Sequence, residues 1–489
     1  MTISRKEAAV RRISSAGLLL CGTILWITPS LAAPVSRSTD SSPSTSEQPA
    51  TRADVTKSGG PFLTLEEAIR TALREHPQVE RAQAAALTAR AITKQNSADR
   101  YPQLEASLAQ GAGSLRVRSS DGAQVHAGSG RGFGLSGSLP THNQNMSTAG
   151  LILNQLITDF GYTSHRILAS QAEESASEKE ILIKKAGVIL NVQRAYYTCL
   201  MQERLVEITA ETLIARKLLR DQVGALYRRE LRSKEDYDLA LIQVSDVELA
   251  QIKSRNDLIQ CFTALNNAMG VEGKDQYTLE RVSIEVAMPP PAELLVQDGL
   301  KNRPELLGGR DRLQASQELL SAVKALNFGS VSAVGVAAVT QYYKAYDTGV
   351  KDNETFPFWG FGATLRVPLF TGFMITNQID EATHRKGEAE QELQLIGNEV
   401  VLQAIRAYLS QVAAAEQIRL EEKRVALAKE AYKLARERYR LGLASILDLT
   451  TATAALFEAQ SLLAEAQYVY KSSESVVAYA VGKDYQKYQ

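Results

Sequence analysis

The histidines, the cysteines and one glycine-rich segment could perform chemistry, but none of them forms a familiar site. The segment GSGRGFG at 128–134 looks superficially like a phosphate loop, yet no Lys-Ser or Lys-Thr ending follows it. The motifs G-x-S-x-G, H-E-x-x-H and C-x-x-C do not occur. Five histidines lack metal-ligand spacing: His76, His126, His142, His165 and His384. We therefore expect no enzyme and no bound cofactor or metal.

The composition points to long helices. Aromatic residues make up only 6% of the 489 residues, and long tracts consist of Ala, Leu, Glu, Gln, Lys and Arg. That mixture is typical of coiled coils and long helices. The formal net charge is +0, and no basic stripe alternates with aromatic residues, so we expect no nucleic-acid partner.

The first 32 residues have the pattern of an export signal. Basic residues between Arg5 and Arg12 precede the apolar segment AGLLLCGTILWIT, which is too short to span a bilayer comfortably. Pro29 and small residues then predict cleavage before Ala33, with a retained membrane anchor as the alternative. Residues 33–61 are rich in Ser, Thr and Pro, which predicts a flexible leader.

Two cysteines remain in the mature chain. Cys21 lies in the signal core after Leu20, and a large residue at that position argues against lipidation. Cys199 and Cys261 are nearly symmetric about residues 230–231, so an antiparallel hairpin would bring them to the same height. Equal height does not make two side chains face each other. We expect two buried free thiols, with a disulfide as the alternative.

The chain from residue 62 onward is a duplicated unit. LEEAIRTALREHPQV (65–79) matches AELLVQDGLKNRPEL (292–306), and the YR pair at 227–228 recurs at 439–440. Four residues of the first copy, Leu231, Ser233, Asp236 and Ala240, recur as Leu443, Ser445, Asp448 and Ala452. A period of this length indicates one duplication instead of a repeat array. We place repeat 1 at 62–288 and repeat 2 at 289–489.

Each repeat has the same order of predicted elements. Thr64 and Glu67 form a capping box before a short helix. Alternating apolar residues then predict strands at about 101–119, 147–157, 329–343 and 357–370. The small, weakly apolar strand faces suit a membrane barrel. Long unbroken helical patterns follow, and 373–440 alone would form a rod of roughly 100 Å. Aromatic residues near the second strand pair predict an interfacial girdle, with a surface loop as the alternative: Tyr342, Tyr343, Tyr346, Phe356, Phe358 and Trp359.

Four strands cannot close a membrane barrel. Open strand edges in lipid would leave backbone groups without partners, so several chains must share one barrel. Three copies would supply about 12 strands.

The chain resembles the TolC-type outer-membrane factor family over about residues 62–483. RVPLFTGF (366–373) and YRLGLASILDLTTATAALFEAQSLLAEAQ (439–467) carry the resemblance. It implies a mixed fold, a membrane β-barrel plus a long α-helical coiled-coil barrel, in which a homotrimer builds a 12-stranded barrel. It implies an exit duct in the outer membrane that passes small molecules such as drugs, toxic compounds or metals and is surrounded by outer-membrane lipid. The implied partners are a periplasmic adaptor and an inner-membrane transporter. The alternatives are a type I secretion duct for polypeptides and, in a different class, a periplasmic coiled-coil structural protein without a pore.

The resemblance also implies roles for the two hairpin tips, at about 228–236 and 440–448. Leu441, Gly442 and Leu443 of the second tip match the adaptor-contacting part of the family's tip, and Leu231 and Arg232 occupy the corresponding part of the first tip.

Three further residues match the family's tunnel entrance. Asp448 and Asp236 match an acidic ring, in which like charges would repel, raise the carboxyl pKa and attract cations. The alternative is a pair of solvated carboxylates at helix starts. Tyr439 matches a tyrosine that helps to latch the entrance by hydrogen bonding toward the other hairpin.

Two residues depart from the family pattern. Glu230 stands where the family often has Gly, and Ala444 stands where the family can use a latching Arg. The first tip is therefore charged and the second apolar, so we expect an adaptor to bind two kinds of groove unequally.

Overall fold

The computed structural model describes residues 60–114, 143–273, 276–344, 353–483 and Lys487. The predicted signal peptide (1–32), nearly all of the predicted leader (33–61), the segment 128–134 and Tyr346 lie outside the described residues.

The described elements appear in the same order in both halves of the chain. The first half contains β1 (Phe62–Leu63), α1 (Leu65–Glu75), α2 (Pro77–Ser97), β2 (Gln103–Ser114), β3 (Asn143–Thr158), α3 (Tyr162–Tyr227) and α4 (Lys234–Met269). The second half contains β4 (Thr278–Leu279), α5 (Ala292–Asn302), α6 (Pro304–Ala325), β5 (Ser330–Lys344), β6 (Asn353–Arg366), α7 (Met374–Arg440) and α8 (Ile446–Val481).

Local sequence signals account for the helix starts in both halves. The predicted capping box of α1 is confirmed: the Glu67 amide donates to Thr64 Oγ1 at 3.2 Å, and the Thr64 amide donates to Glu67 Oε2 at 3.2 Å. Pro77 and Pro304 open α2 and α6, where a missing N–H group carries no penalty.

Four strands form one antiparallel sheet in the order β2-β3-β5-β6. One face exposes Leu104, Leu108, Leu151, Leu153, Trp359 and Phe361, whereas the opposite face carries polar residues such as Gln103, Asn154 and Ser332. This alternation is that of a sheet with one face against lipid. The predicted strand at 357–370 is shifted, because β6 ends at Arg366 and Pro368 cannot donate to a strand ladder.

The two longest helices contain 66 and 67 residues, α3 and α7. At 1.5 Å per residue each is roughly 100 Å long. α3 packs against α4, α8 packs against α7, and α3 packs against α8, which gives the order α4-α3-α8-α7. Alanines are buried along these contacts, including Ala404, Ala459 and Ala466, and their small side chains allow close packing. Among the described helices, none combines the length and hydropathy that a bilayer crossing requires.

A compact core lies where the short elements meet the middle of α3. Ile69, Val192, Leu265 and Met269 are fully buried there. β1 and β4 pair in parallel beside this core. Tyr196 Oη donates to the Leu63 carbonyl at 3.0 Å and accepts from the Glu280 amide at 3.0 Å. The buried tyrosine therefore fastens both short strands, one from each half, to α3.

The expectation of two free thiols is wrong. Cys199 of α3 and Cys261 of α4 form a disulfide, with their Cα atoms 5.4 Å apart. That separation lies in the range that disulfides require. The antiparallel packing of α3 on α4 turns the two buried side chains toward each other, and the sequence could predict their equal height but not this rotation.

Loss of the disulfide should lower the stability of the protein. The bond joins residues 62 positions apart, so its removal frees a long loop in the unfolded chain. We expect the double variant Cys199→Ser/Cys261→Ser to lose about 2–4 kcal/mol of unfolding free energy. Denaturant titration of the purified full chain measures this loss. Reductant should shift the midpoint of the wild type and leave that of the variant unchanged; equal midpoints for both proteins without reductant would contradict the expectation.

Candidate functional site

The two hairpin tips share one backbone design. The chain turns at 228–233 between α3 and α4, and at 441–445 between α7 and α8. In the first tip the Leu231 amide donates to the Leu226 carbonyl at 3.0 Å, and in the second the Leu443 amide donates to the Arg438 carbonyl at 2.8 Å. Each bond closes a Schellman motif, which ends a helix with one left-handed residue.

Different residues occupy the left-handed position in the two tips. Gly442 has φ +75°, and Glu230 at the matching position has φ +61°. Glycine adopts this conformation freely, whereas a residue with a Cβ atom is strained by roughly 1–2 kcal/mol. The first tip therefore stores strain that the second tip lacks.

The two aspartates predicted to ring the entrance have different surroundings. Asp448 forms a capping box with Ser445: its amide donates to Ser445 Oγ at 3.2 Å, and its Oδ2 accepts from the Ser445 amide at 2.9 Å. The hydrogen bond from the backbone of Ser445, followed by that from its hydroxyl, lowers the pKa of Asp448. Within one chain this is opposite to the rise expected for a ring of like charges. The Asp236 amide is capped by Ser233, but its carboxylate lies 4.0 Å from Arg232.

Arg232 connects the two tips. Its guanidinium lies over the ring of Tyr439, 4.7 Å from the centroid, and 4.0 Å from the Asp236 carboxylate. We call these three residues the clasp. Tyr439 is 7% exposed, and burial raises the pKa of its hydroxyl. Tyr439 Oη has no hydrogen-bond partner among the described residues. Within the single chain, Tyr439 contacts Arg232 of the other hairpin through this cation–π interaction, and the predicted latching hydrogen bond stays a prediction.

A small apolar core lies directly under the clasp. Val223 of α3, Ala240 of α4, and Ile446 and Leu449 of α8 pack with Tyr439 of α7. The three leucines predicted to contact the adaptor lie in the turns of the two tips and face outward: Leu231, Leu441 and Leu443 are 66%, 61% and 67% exposed. Arg232, predicted beside them, is instead half-buried in the clasp.

The sequence profile described as outer membrane efflux protein matches residues 68–271 and 295–483, most of the chain. The chain belongs to the outer membrane efflux protein family. The protein TolC of Vibrio cholerae is 23% identical to this efflux protein over 333 residues, which cover 64% of this chain and 72% of that relative. TolC of Escherichia coli is 22% identical over 368 residues, covering 70% of each chain.

Solved structures agree with the family assignment. The CmeC outer membrane channel of Campylobacter jejuni superposes with a TM-score of 0.70 at 17% identity, covering 87% of this chain and 88% of that one. The efflux protein therefore has the TolC-type fold and is located in the outer membrane, as the sequence predicted.

A groove of 910 Å³ runs along the tip of the efflux protein. α3 and α7 form its walls, and Leu449 and Thr453 of α8 lie between them. Among the described residues its lining includes five arginines and no acidic residue: Arg216, Arg229, Arg232, Arg436 and Arg440. We call it the arginine groove.

Of the five arginines only Arg232 was predicted as a site residue, and Arg216 is the most buried of the four that were missed. It is only 4% exposed, and its Nη2 donates to the Thr450 carbonyl at 3.2 Å. Its Nε and Nη1 have no hydrogen-bond partner among the described residues, and burial lowers the pKa of the guanidinium. The sequence did contain a signal for its burial. Arg216 stands at helical spacing from the apolar residues Leu213 and Val223, which places it on the buried face of α3.

Exchanging the residues at the left-handed positions should change tip stability in opposite directions. Glu230→Gly removes the strain of a left-handed glutamate and should stabilise the first tip by about 1 kcal/mol, whereas Gly442→Glu should destabilise the second tip by about 1 kcal/mol. Amide hydrogen exchange at 226–234 and 438–446 measures both effects, and each tip serves as the control for the other. Slower exchange at the second tip of Gly442→Glu would contradict the strain argument.

Proposed function

We propose that this efflux protein is a trimeric exit duct of a tripartite efflux system. It would conduct small molecules passively from an inner-membrane pump and a periplasmic adaptor to the exterior. One observation carries the proposal. The described sheet ends in two edge strands without outer neighbours, β2 and β6, and the helical layer ends in two outer helices, α4 and α7.

The edge strands supply the first part of that observation. β2 and β6 each pair with only one neighbour in the described sheet. In hydrocarbon, each backbone group without a partner costs several kcal/mol, so the edges need strands from other copies. Pairing β6 of one copy with β2 of the next would join three copies into a barrel of about 12 strands.

The outer helices of the layer supply the second part. α7 exposes leucines seven residues apart, with one gap of eleven: Leu395, Leu402, Leu409, Leu420, Leu427 and Leu434. α4 exposes Ile242, Leu249, Ile252 and Ile259 at heptad spacing. Such stripes are the seams of coiled coils. Because α4 and α7 lie at opposite edges, α7 of one copy would pack on α4 of the next, a head-to-tail contact that closes a ring.

The tips supply contacts for the adaptor and the gate. Leu231 of the first tip, with Leu441 and Leu443 on either side of Gly442 in the second, forms an apolar surface at the end of the helices, where an adaptor would dock. The clasp lies under that surface and ties one hairpin to the other. In this proposal an adaptor that pulls the tips apart breaks the clasp and opens the entrance, which Asp236 and Asp448 line.

Charges on the α7 stripe should prevent trimer formation. We expect Leu427→Glu/Leu434→Glu to reduce the trimer fraction by about tenfold or more, because the variant places carboxylates in a dry seam. Light scattering of the protein in detergent measures the mass. Lys429→Glu, an exposed position on another side of α7, is the matched control and should remain trimeric. A wild type with the mass of one protomer would refute the trimer.

The clasp gives a prediction that separates the cation–π contact from a tyrosine hydrogen bond. Arg232→Met removes a contact worth about 0.5–2 kcal/mol and should increase the open fraction at least about twofold. Tyr439→Phe keeps the ring and should leave the open fraction unchanged. Single-channel recording in planar bilayers measures this fraction, and Arg229→Met is the matched control. Equal opening in Tyr439→Phe and Arg232→Met would show that the hydroxyl closes the duct.

A further inference from the structure

The duplication makes the arginine groove comparable with its counterpart in the other repeat. Each residue of the second tip lies 212 positions after its match in the first. In this register only Arg440 has a basic match, Arg228. The other four arginines, Arg216, Arg229, Arg232 and Arg436, match Ala428, Leu441, Ala444 and Gly224. Four of the five arginines therefore have no basic match in the other repeat, and the general architecture of the hairpins does not require them.

The charge of the groove is only partly compensated. Arg232 lies 4.0 Å from the Asp236 carboxylate. Arg229 and Arg436 form no ion pair among the described residues, whereas Arg440 contacts Glu437 at 2.8 Å. Because the described lining of the groove holds no carboxylate, Arg229 and Arg436 leave two positive charges there that an anion would neutralise.

Arg216 adds a buried cation at the inner end of this groove. Two of its three guanidinium nitrogens have no protein partner among the described residues. A buried guanidinium without its full set of partners is costly, so the groove favours an occupant that brings acceptor oxygens.

The shape of the groove favours a peptide over a small anion. Arg216 and Arg229 lie 13 positions apart on one wall, about 20 Å along a helix. Exposed Leu218 and Leu231 lie among the arginines on that wall. A phosphate ion would contact one end only, whereas an amphipathic helix of about four turns would cover both the leucines and the arginines.

We propose that the arginine groove docks an acidic, amphipathic helical segment of the periplasmic adaptor. The segment presents carboxylates to Arg229 and Arg436 and leucine-like side chains to the groove wall. This inference rests on the proposed function, since it gives the chemistry of the adaptor contact. The counterpart groove, which would form where two copies meet, pairs its arginines with acidic residues and therefore selects no acidic segment. By the 212-residue register its lining positions hold Arg220, Arg228, Arg229, Arg438, Glu230, Glu430 and Glu437. Each protomer thus contributes one acid-selective site.

Photo-crosslinking of the full-length protein in its native membrane tests this inference. A benzophenone amino acid at Gln222, an exposed residue of the groove, captures the occupant, and mass spectrometry identifies the crosslinked peptide. The same probe at Leu443 reports tip contact outside the groove. We expect an adaptor peptide with Asp or Glu at helical spacing. Arg229→Glu/Arg436→Glu should reduce its yield at Gln222 about tenfold or more through like-charge repulsion.

The control variant is Arg438→Glu, which reverses one arginine on α7 outside the described lining of the groove and should preserve the yield. A basic or neutral adaptor peptide, a peptide of the efflux protein itself, no capture at Gln222, or a yield insensitive to charge reversal would each overturn the acidic segment. Capture of the adaptor at Leu443 in those cases would leave the proposed duct intact. Absence of the adaptor at both positions would overturn the duct proposal as well.

Discussion

Backbone groups at the edge of a sheet cannot face hydrocarbon without partners, and this constraint governs the rest of the molecule. The sheet order β2-β3-β5-β6 leaves one open edge from each half of the chain. α3 follows directly after β3, and α7 follows directly after β6, so the helices inherit the arrangement of the strands. The helical layer consequently also ends with one helix from each half, α4 and α7. The leucine stripe on α7 and the isoleucine-rich stripe on α4 lie on the helices at these outer edges.

The duplication supplies two hairpins with one backbone and two kinds of surface. Both tips end in the same motif and restart at a capping serine, Ser233 or Ser445. Their side chains have diverged: one tip turns on Gly442 and ends in leucines, and the other turns on a strained Glu230 among arginines. The clasp uses this difference, because Arg232 of the charged tip reaches the tyrosine of the apolar tip.

The sequence predicted features that depend on local pattern. The helical run 373–440, the tip at Gly442 and the four strand regions follow from periodicity and glycine placement, which act over a few neighbouring residues. Features that depend on rotation about a helix axis were missed or wrong. The sequence predicted that Cys199 and Cys261 lie at the same height along the hairpin. Whether their side chains point toward each other depends on how α3 packs on α4. Arg232 and Tyr439 were both singled out, yet their contact joins two hairpins that are more than 200 residues apart in sequence. Arg216 was passed over because it interrupts an apolar stripe without a motif around it.

The disulfide has a consequence for the order in which the protein matures. It joins α3 to α4 across the first hairpin and includes no residue of the second repeat. Disulfides form in an oxidising compartment, and export led by the predicted signal peptide would deliver the first hairpin there before the second. The first hairpin can therefore be covalently closed while α7 and α8 have yet to arrive. In that order of export, the second repeat would fold onto a first repeat that is already closed by its disulfide.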